Sequence, residues 1–504
     1  MRKGFWWSNV CNFLNKFLGI YRTKLKMLIV GDDIISDLFI LADKTVALFR
    51  RVFIDGNFSS FFIRYYLKEK DQNRGGIFTR YSFLYMLKNL LGTTLIFLIT
   101  SPFFIKLFKQ SEKNEIILLK MIIALSPLII GFFLLSFFTS LLNSNNRFEI
   151  SNLAPLIGNS IYVLLLYLSA YSWISISPMW VFILGALIYT FVQVIFMVFY
   201  SLSYFKKEED LDQDLDRDFN QDSNLVEYKN LDFQQDVKKG IGINILMPLS
   251  DVFVGILATL QKIGMFSYIE YGHRIIYAIF SIIAIPISTS ILPFLAKLSL
   301  KDEDRFREES TKAFMITHVL AVPCIFLMFF FLEEVMTFFL KNISRIKDKE
   351  MLSKSVLIIS WSLYFMMQNR ILNSINNAFG KINSTLIGSA VYGGSTMIFT
   401  LILPRFNSYG IIWVGNAACL CQFFYLLYVS YRNKLFNFRA IHYFDFGNSF
   451  LISFFLILTL KKFFYYFSFQ GFSIFYYFGM FLVVFAIYGW VFWNYIKFLF
   501  KKMD

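Results

Sequence analysis

Histidine is nearly missing from this chain of 504 residues: there are three, at positions 273, 318 and 442. They are too scattered to form a metal cluster. The four cysteines, Cys11, Cys324, Cys419 and Cys421, offer no ligand or disulfide spacing beyond a CxC at 419–421. All four stand in apolar surroundings, where a free thiol serves as a small packing group. Charge is scarce as well, at 16% of residues. A secretory leader is not expected, because the first apolar stretch, FWWSNVCNFLNKFLGIY, is broken by Asn12, Asn15 and Lys16 and has no small-residue cleavage site.

What the chain has in quantity is apolar surface: 57% hydrophobic and 20% aromatic residues. A soluble protein of this length could not bury that much, so the composition predicts an all-α polytopic membrane protein. A crossing helix takes about 20 apolar residues, and about fourteen candidate spans can be marked along the sequence. The first two, about 5–21 and 34–63, are too polar for hydropathy alone and are included because an internal repeat requires them. An even count puts both termini on one side. Connections 64–80, 206–240, 297–312 and 432–439, with the termini, carry about twice the Lys and Arg of the opposite set, which places both termini in the cytoplasm. The net charge of +15 is mostly this topology signal, so nucleic-acid binding is not expected. Residues 206–236 hold eleven acidic and four basic residues without an apolar run, the composition of a solvated, flexible linker.

The repeat shows in two segments. LLNSNNRFEISNLAPLIGNSIY (141–162) laid over ILNSINNAFGKINSTLIGSAVY (371–392) matches at eight of 22 positions without a gap, at an offset of 230. ALFRRVFIDGNFSSFFI (47–63) lies more weakly over AIFSIIAIPISTSILPF (278–294) at 231. Each pair is six spans apart, so the halves share one orientation, as in transporters that rock two bundles about a central cavity. The organisation expected is an N-lobe at 1–205 (helices 1–6), an acidic linker at 206–240, a C-lobe at 241–436 (helices 7–12) and two C-terminal helices at 437–504.

Residues 22–64 carry twelve ionisable groups. At helical spacing Asp37, Lys44 and Arg51 share one stripe, with Asp43 and Arg50 on a second. Each charge costs about 2.5–3.5 kcal/mol at the bilayer centre, so these groups should face water or one another. They describe either a hydrated, net-cationic cavity for an anionic head group or two sets of intrahelical ion pairs. In the second half Glu270 precedes Arg274 by four residues, the favourable order for an ion pair, and Arg370 stands just before the repeated Leu-Asn-Ser. Asp251 is a membrane carboxylate that reads as an ion- or proton-coupling group or as a partner for Arg370 or Arg274.

VGDDIISDLFILADKTVALFRRVFIDGNFSSFF (30–62) resembles the first-lobe signature of the MurJ (MviN) family of lipid II flippases, above all in its Arg-Arg-hydrophobic-Phe-x-acid-Gly run. LLNSNNRF (141–148), YGHRIIYAIFSIIAIPISTSILPFLAKLS (271–299) and YGIIWVGNAACLCQFFYLLY (409–428) resemble later family segments, in the family's order. The resemblance implies a fourteen-helix fold of the multidrug/oligosaccharidyl-lipid/polysaccharide superfamily in the bacterial inner membrane. It implies a transporter of undecaprenyl-pyrophosphate-linked peptidoglycan precursor, lipid II, rather than an enzyme. It also implies that Lys16, Arg22, Arg50, Arg274 and Arg370 form the cationic substrate site, with Asp37, Asp55, Asp251 and Glu270 as coupling or ion-pair groups. Some members hold Na⁺ through an acid of the seventh span, where Asp251 lies; no cofactor is expected, and coupling to membrane potential, H⁺ or Na⁺ stays open.

The chain departs from the family pattern in places: Lys16 stands for an Arg, Thr23 for an acid, and Tyr277 for a Glu that Glu270 could replace. Nothing in the sequence demands more than a monomer. The rival readings are a flippase for another polyprenyl-pyrophosphate oligosaccharide of O-antigen or capsule type, a multidrug–cation antiporter, and a lipid-linked-sugar glycosyltransferase. The antiporter fits poorly with a basic first lobe, and the glycosyltransferase with short outer connections.

Overall fold

The computed structural model describes residues 2–50, 58–70, 72, 74–106, 111–145, 147–218, 233–235, 246–340, 343, 345–407, 409–436 and 449–458. Among these residues the chain is helical, without strands. In order the helices are α1 (Arg2–Ile29), α2 (Ile34–Arg50), α3 (Phe58–Lys70), α4 (Gly75–Lys106), α5 (Glu112–Leu125), α6 (Pro127–Ser144), α7 (Phe148–Ala170) and α8 (Pro178–Asp218). They continue with α9 (Leu246–Gln261), α10 (Met265–Lys301), α11 (Glu303–Phe330), α12 (Leu332–Leu340), α13 (Lys349–Ser360), α14 (Ser362–Ala378), α15 (Ile382–Ile402) and α16 (Gly410–Arg432). A last helix, α17, covers Ser449–Leu458. Seven stretches of the described residues are long and apolar enough to cross a membrane, among them α5 and α6 taken together as Glu112–Ser144. The protein is an all-α polytopic membrane protein.

The breaks between helices have local causes. Pro127 sits at the first position of α6, where its missing N–H costs least, and splits one span into α5 and α6. Gly264 ends the turn between α9 and α10 at φ +85°, and a Cβ there would come within 2.8 Å of the Asp32 carbonyl oxygen, so both backbone angle and space call for glycine. Asp302 and Asp348 cap α11 and α13 by accepting from Arg305 N (3.0 Å) and Met351 N (2.8 Å).

The halves repeat in element order, and the helix ends refine the register. α6 ends at Ser144 and α14 at Ala378, α7 begins at Phe148 and α15 at Ile382, an offset of 234 in both cases. Residue identities alone put the offset at 230. The difference is about one helical turn, and residues four apart occupy the same helix face. Identity therefore finds the right pair of helices one turn out of step.

The chain divides into two compact units, Met1–Ser267 and Tyr268–Asp504. The sequence starts its second lobe at 241, whereas α9 groups with the first unit. Gly255 of α9 packs so closely that a Cβ would meet Phe266 at 2.7 Å and Leu41 of α2 at 3.1 Å. Elsewhere in the first unit Gly185 of α8 lies flat on the Tyr162 ring of α7, where any Cβ would overlap the ring. Small residues of this kind let membrane helices approach in the absence of a strong hydrophobic drive. Gly185→Ala is expected to force that ring aside at a cost of about 1–3 kcal/mol, read as a lower unfolding temperature of the purified protein. The second unit has a core of Ile287, Leu295, Phe306, Ile371, Leu372 and Leu426. Asn376 of α14 donates to Ser430 Oγ of α16 at 2.8 Å across that unit.

Two buried features were not legible in the sequence. Phe233, inside the acidic linker, is fully buried against Tyr65 of α3 and Phe78 and Tyr85 of α4 in edge-to-face contacts with centroids 5.3–6.4 Å apart, and the neighbouring Gln234 donates to Tyr81 Oη. Composition averages over a segment and hides one anchored aromatic. Phe233→Ala removes that anchor at about 3–5 kcal/mol, so the linker is expected to be cut faster in limited proteolysis. In the second unit His318 of α11 is fully buried, its Nδ1 at 2.9 Å from Tyr364 Oη and its Nε2 at 2.8 Å from Ser449 Oγ. It ties α11 to α14 and α17.

Candidate functional site

Helix α1 carries Arg22 and Lys26 one turn apart, on the same face. Arg22 donates from Nη1 to Asn159 Oδ1 of α7 at 3.0 Å. Its guanidinium carbon lies 5.2 Å from the Tyr162 ring centroid and 5.3 Å from that of Tyr189. Lys26 is buried, with Nζ 4.7–5.3 Å from the ring centroids of Phe39, Tyr162 and Phe182. Aromatic faces attract such cations by about 0.5–2 kcal/mol each, more as water is excluded. Four helices, α1, α2, α7 and α8, thus build a cationic patch lined with rings. Thr23, where the family pattern has an acid, bonds back to Gly19 O of its own helix at 3.0 Å and adds no negative charge. Lys16 is half-buried further up α1.

Asp37 occupies a different position from the hydrated stripe considered above. It is fully buried. Oδ2 accepts from Gly264 N at 2.7 Å, and Oδ1 accepts from Ser267 N at 2.8 Å and Ser267 Oγ at 2.6 Å. A carboxylate on α2 therefore holds the first-turn donors of α10, with the favourable helix-dipole sign. Lys44 and Asp43 are half-buried on α2, and Asp251 is half-buried on α9. The side chain of Arg50, and residues Arg51 and Asp55, lie outside the described residues.

In the second unit Glu270 and Arg274 form an ion pair at 3.1 Å, with the Arg side chain a quarter exposed and the Glu a tenth. The acid thus comes from the turn before Arg274, while the turn after presents Tyr277. Arg370 donates from Nε to Ser288 Oγ at 3.0 Å. Ser288 lies 14 residues beyond Arg274 on α10, about 21 Å along the axis. The structure brings Arg22 together with Lys26, and Arg274 with Glu270; Arg370 meets α10 at a separate level. Sequence reasoning missed Asn159, although it stands in the repeated segment and near the middle of an apolar span. Which helix it would face could not be read from the sequence.

The cations of the Arg22–Lys26 patch are caged by rings and an amide inside a bundle of apolar helices, an arrangement that fits a membrane transporter. Solved structures share this fold. An inward-facing multidrug resistance MATE family transporter of the MOP superfamily superposes with a TM-score of 0.58 at 13% identity, over 88% of this chain and 96% of that one. The structure of lipid II flippase MurJ in its inward closed conformation superposes with a TM-score of 0.71 at 18% identity, over 98% of this chain and 99% of the other. The protein has the fold of the MOP transporter superfamily.

The sequence narrows this further: the profile of the family "Lipid II flippase MurJ" matches residues 27–482, and the chain belongs to that family. Among its relatives, the probable lipid II flippase MurJ of Buchnera aphidicola subsp. Baizongia pistaciae is 26% identical over 355 residues. That match spans 66% of this chain and 64% of the relative, a little under two thirds of the latter's length. The probable lipid II flippase MurJ of Treponema pallidum is 22% identical over 441 residues, 83% of this chain and 79% of that protein.

Proposed function

We propose that the chain is a flippase that carries lipid II from the inner to the outer leaflet of the bacterial cytoplasmic membrane by alternating access. The observation that carries the reading is the Arg22–Lys26 patch, two cations fixed within a membrane bundle whose sequence family is that of the lipid II flippases. A pyrophosphate is a multiply charged anion with several acceptor oxygens, and a planar guanidinium meets two of them with two parallel donors while an ammonium meets it as a point charge. Arg22 and Lys26 supply one of each. Arg274, with Glu270 beside it, supplies a cation in the second unit. The polyprenyl tail stays in lipid, both termini face the cytoplasm, the protein acts as a monomer, and no bond is made or broken.

Coupling to the membrane potential, H⁺ or Na⁺ completes the cycle, with Asp251 as the candidate Na⁺ ligand. The test is transport of fluorescent lipid II in vesicles containing the purified chain, beside a polyprenyl-pyrophosphate lipid bearing a different oligosaccharide. Faster transport of lipid II supports the assignment; transport of the other lipid alone would replace it with the O-antigen or capsule reading. Asp251→Asn is expected to abolish any Na⁺ stimulation of the rate while leaving the rate without Na⁺ within about twofold.

A further inference from the structure

The geometry points to Asn159 as the positioning residue that sets the guanidinium plane of Arg22; the inference rests on the reading of Arg22 as a pyrophosphate-binding group. Asn159 lies midway along α7 and is 3% exposed. Its amide is engaged at both ends. Oδ1 accepts from Arg22 Nη1 at 3.0 Å, while Nδ2 donates to Asn15 O at 3.1 Å and Asn15 Oδ1 at 3.0 Å, seven residues earlier on α1. These bonds fix the amide's orientation: its two donors face Asn15, so its oxygen faces Arg22. A flipped amide would turn its NH₂ toward the guanidinium and lose all three bonds.

One hydrogen bond alone would let the guanidinium swing about Nη1. The rings of Tyr162 and Tyr189, 5.2 and 5.3 Å from its central carbon, remove that freedom. Tyr162 is itself held, donating from Oη to Phe182 O at 3.2 Å. A Cβ added at Gly158, next to Asn159, would come within 2.6 Å of the Tyr189 carbonyl oxygen, so α7 and α8 are in close contact at this level. Asn159 thus works on a charge whose plane is already bracketed and sets the remaining rotation. At the 234-residue register of the helix ends the equivalent position in the second unit is Gly393, which has no side chain for this task. The positioning device belongs to the first unit, which also holds the Arg22–Lys26 pair.

The neutral amide is suited to this task. A carboxylate at this point would form a full ion pair with Arg22 and compete with an incoming phosphate, whereas an amide oxygen orients the cation without neutralising it. Removing the acceptor is expected to weaken recognition through a charged hydrogen bond by about tenfold. The full-length protein, purified in detergent, is tested for binding of undecaprenyl pyrophosphate and, in vesicles, for lipid II transport as a function of lipid mole fraction. Asn159→Leu is expected to raise the half-saturating lipid fraction about tenfold with the maximal rate changed less than threefold. Asn159→Asp is expected to bind more weakly than the native chain although it keeps the acceptor and the shape.

The double variant supplies the decisive comparison: in an Arg22→Gln background, Asn159→Leu should change binding by less than twofold. An effect of Asn159→Leu that is as large without the guanidinium as with it would overturn the inference, as would native affinity in Asn159→Leu. A variant that unfolds would show the same loss in both backgrounds and so counts against the positioning role. If the native chain binds undecaprenyl pyrophosphate but does not move lipid II, the head-group assignment fails while the Asn159 comparison is still decided by binding.

Discussion

Arg22→Ala is expected to lower lipid II transport at least about a hundredfold, with protein yield and unfolding temperature close to native. A charge-assisted hydrogen bond contributes about 1.5–3 kcal/mol, and a two-pronged contact to phosphate loses two of them; about 2.7 kcal/mol already corresponds to a hundredfold. The loss should not unfold the protein, because Arg22 is only half-buried and its removal opens no sealed cavity. Arg22→Lys should retain part of the activity, since an ammonium keeps the charge but not the fork. Initial rates in vesicles at matched protein content read both variants. Near-native transport by Arg22→Ala would remove the pyrophosphate from this patch.

Asp37→Ala is expected to prevent accumulation of folded protein. Gly264 N and Ser267 N would lose their acceptor at a fully buried point, and Ser267 Oγ would be left with Ser36 Oγ at 3.0 Å in place of the carboxylate. Three bonds to a carboxylate, at about 1.5–3 kcal/mol each, sum to 4 kcal/mol or more even after relaxation, a large part of a typical stability of about 5–15 kcal/mol. The consequence reaches function through the chain itself, because the helix that begins at Met265 also carries Glu270 and Arg274. Asp37→Asn keeps the shape and one acceptor oxygen, so it should give folded protein with a clearly lower unfolding temperature. Membrane yield and thermal unfolding followed by size-exclusion chromatography distinguish these outcomes. A normal yield of stable Asp37→Ala protein would show that the carboxylate serves something other than the α10 N-terminus.

The class of fold was legible because apolar runs and positive connections are properties of whole segments. α1 and α2 show where that signal fails: both are helices, yet each carries too many charges to pass as an apolar span. Only the internal repeat requires spans there. The repeat was legible to within a turn, since the 3.6-residue period makes a four-residue slip hard to see in an identity match. At the site, Arg22 is marked as a site residue only by the family resemblance, whereas the Glu270–Arg274 pair could be picked out by helical spacing. Asn159, Tyr189 and the cap role of Asp37 could not, because each depends on which face of one helix meets another far away in sequence. Asp37 also shows how a charge inside a membrane helix can serve structure: a single acid in a sequence reads as a cavity or coupling group until its donors are seen.

The most direct test of the account is the amount of lipid II in the outer leaflet of cells depleted of their own flippase and supplied with this chain, its Arg22→Ala form or its Arg274→Ala form at equal membrane levels. The account predicts restoration by the native chain and loss in both variants. Equal restoration by all three would contradict the cationic site, and failure of a well-expressed native chain to restore any lipid II would contradict the proposed substrate.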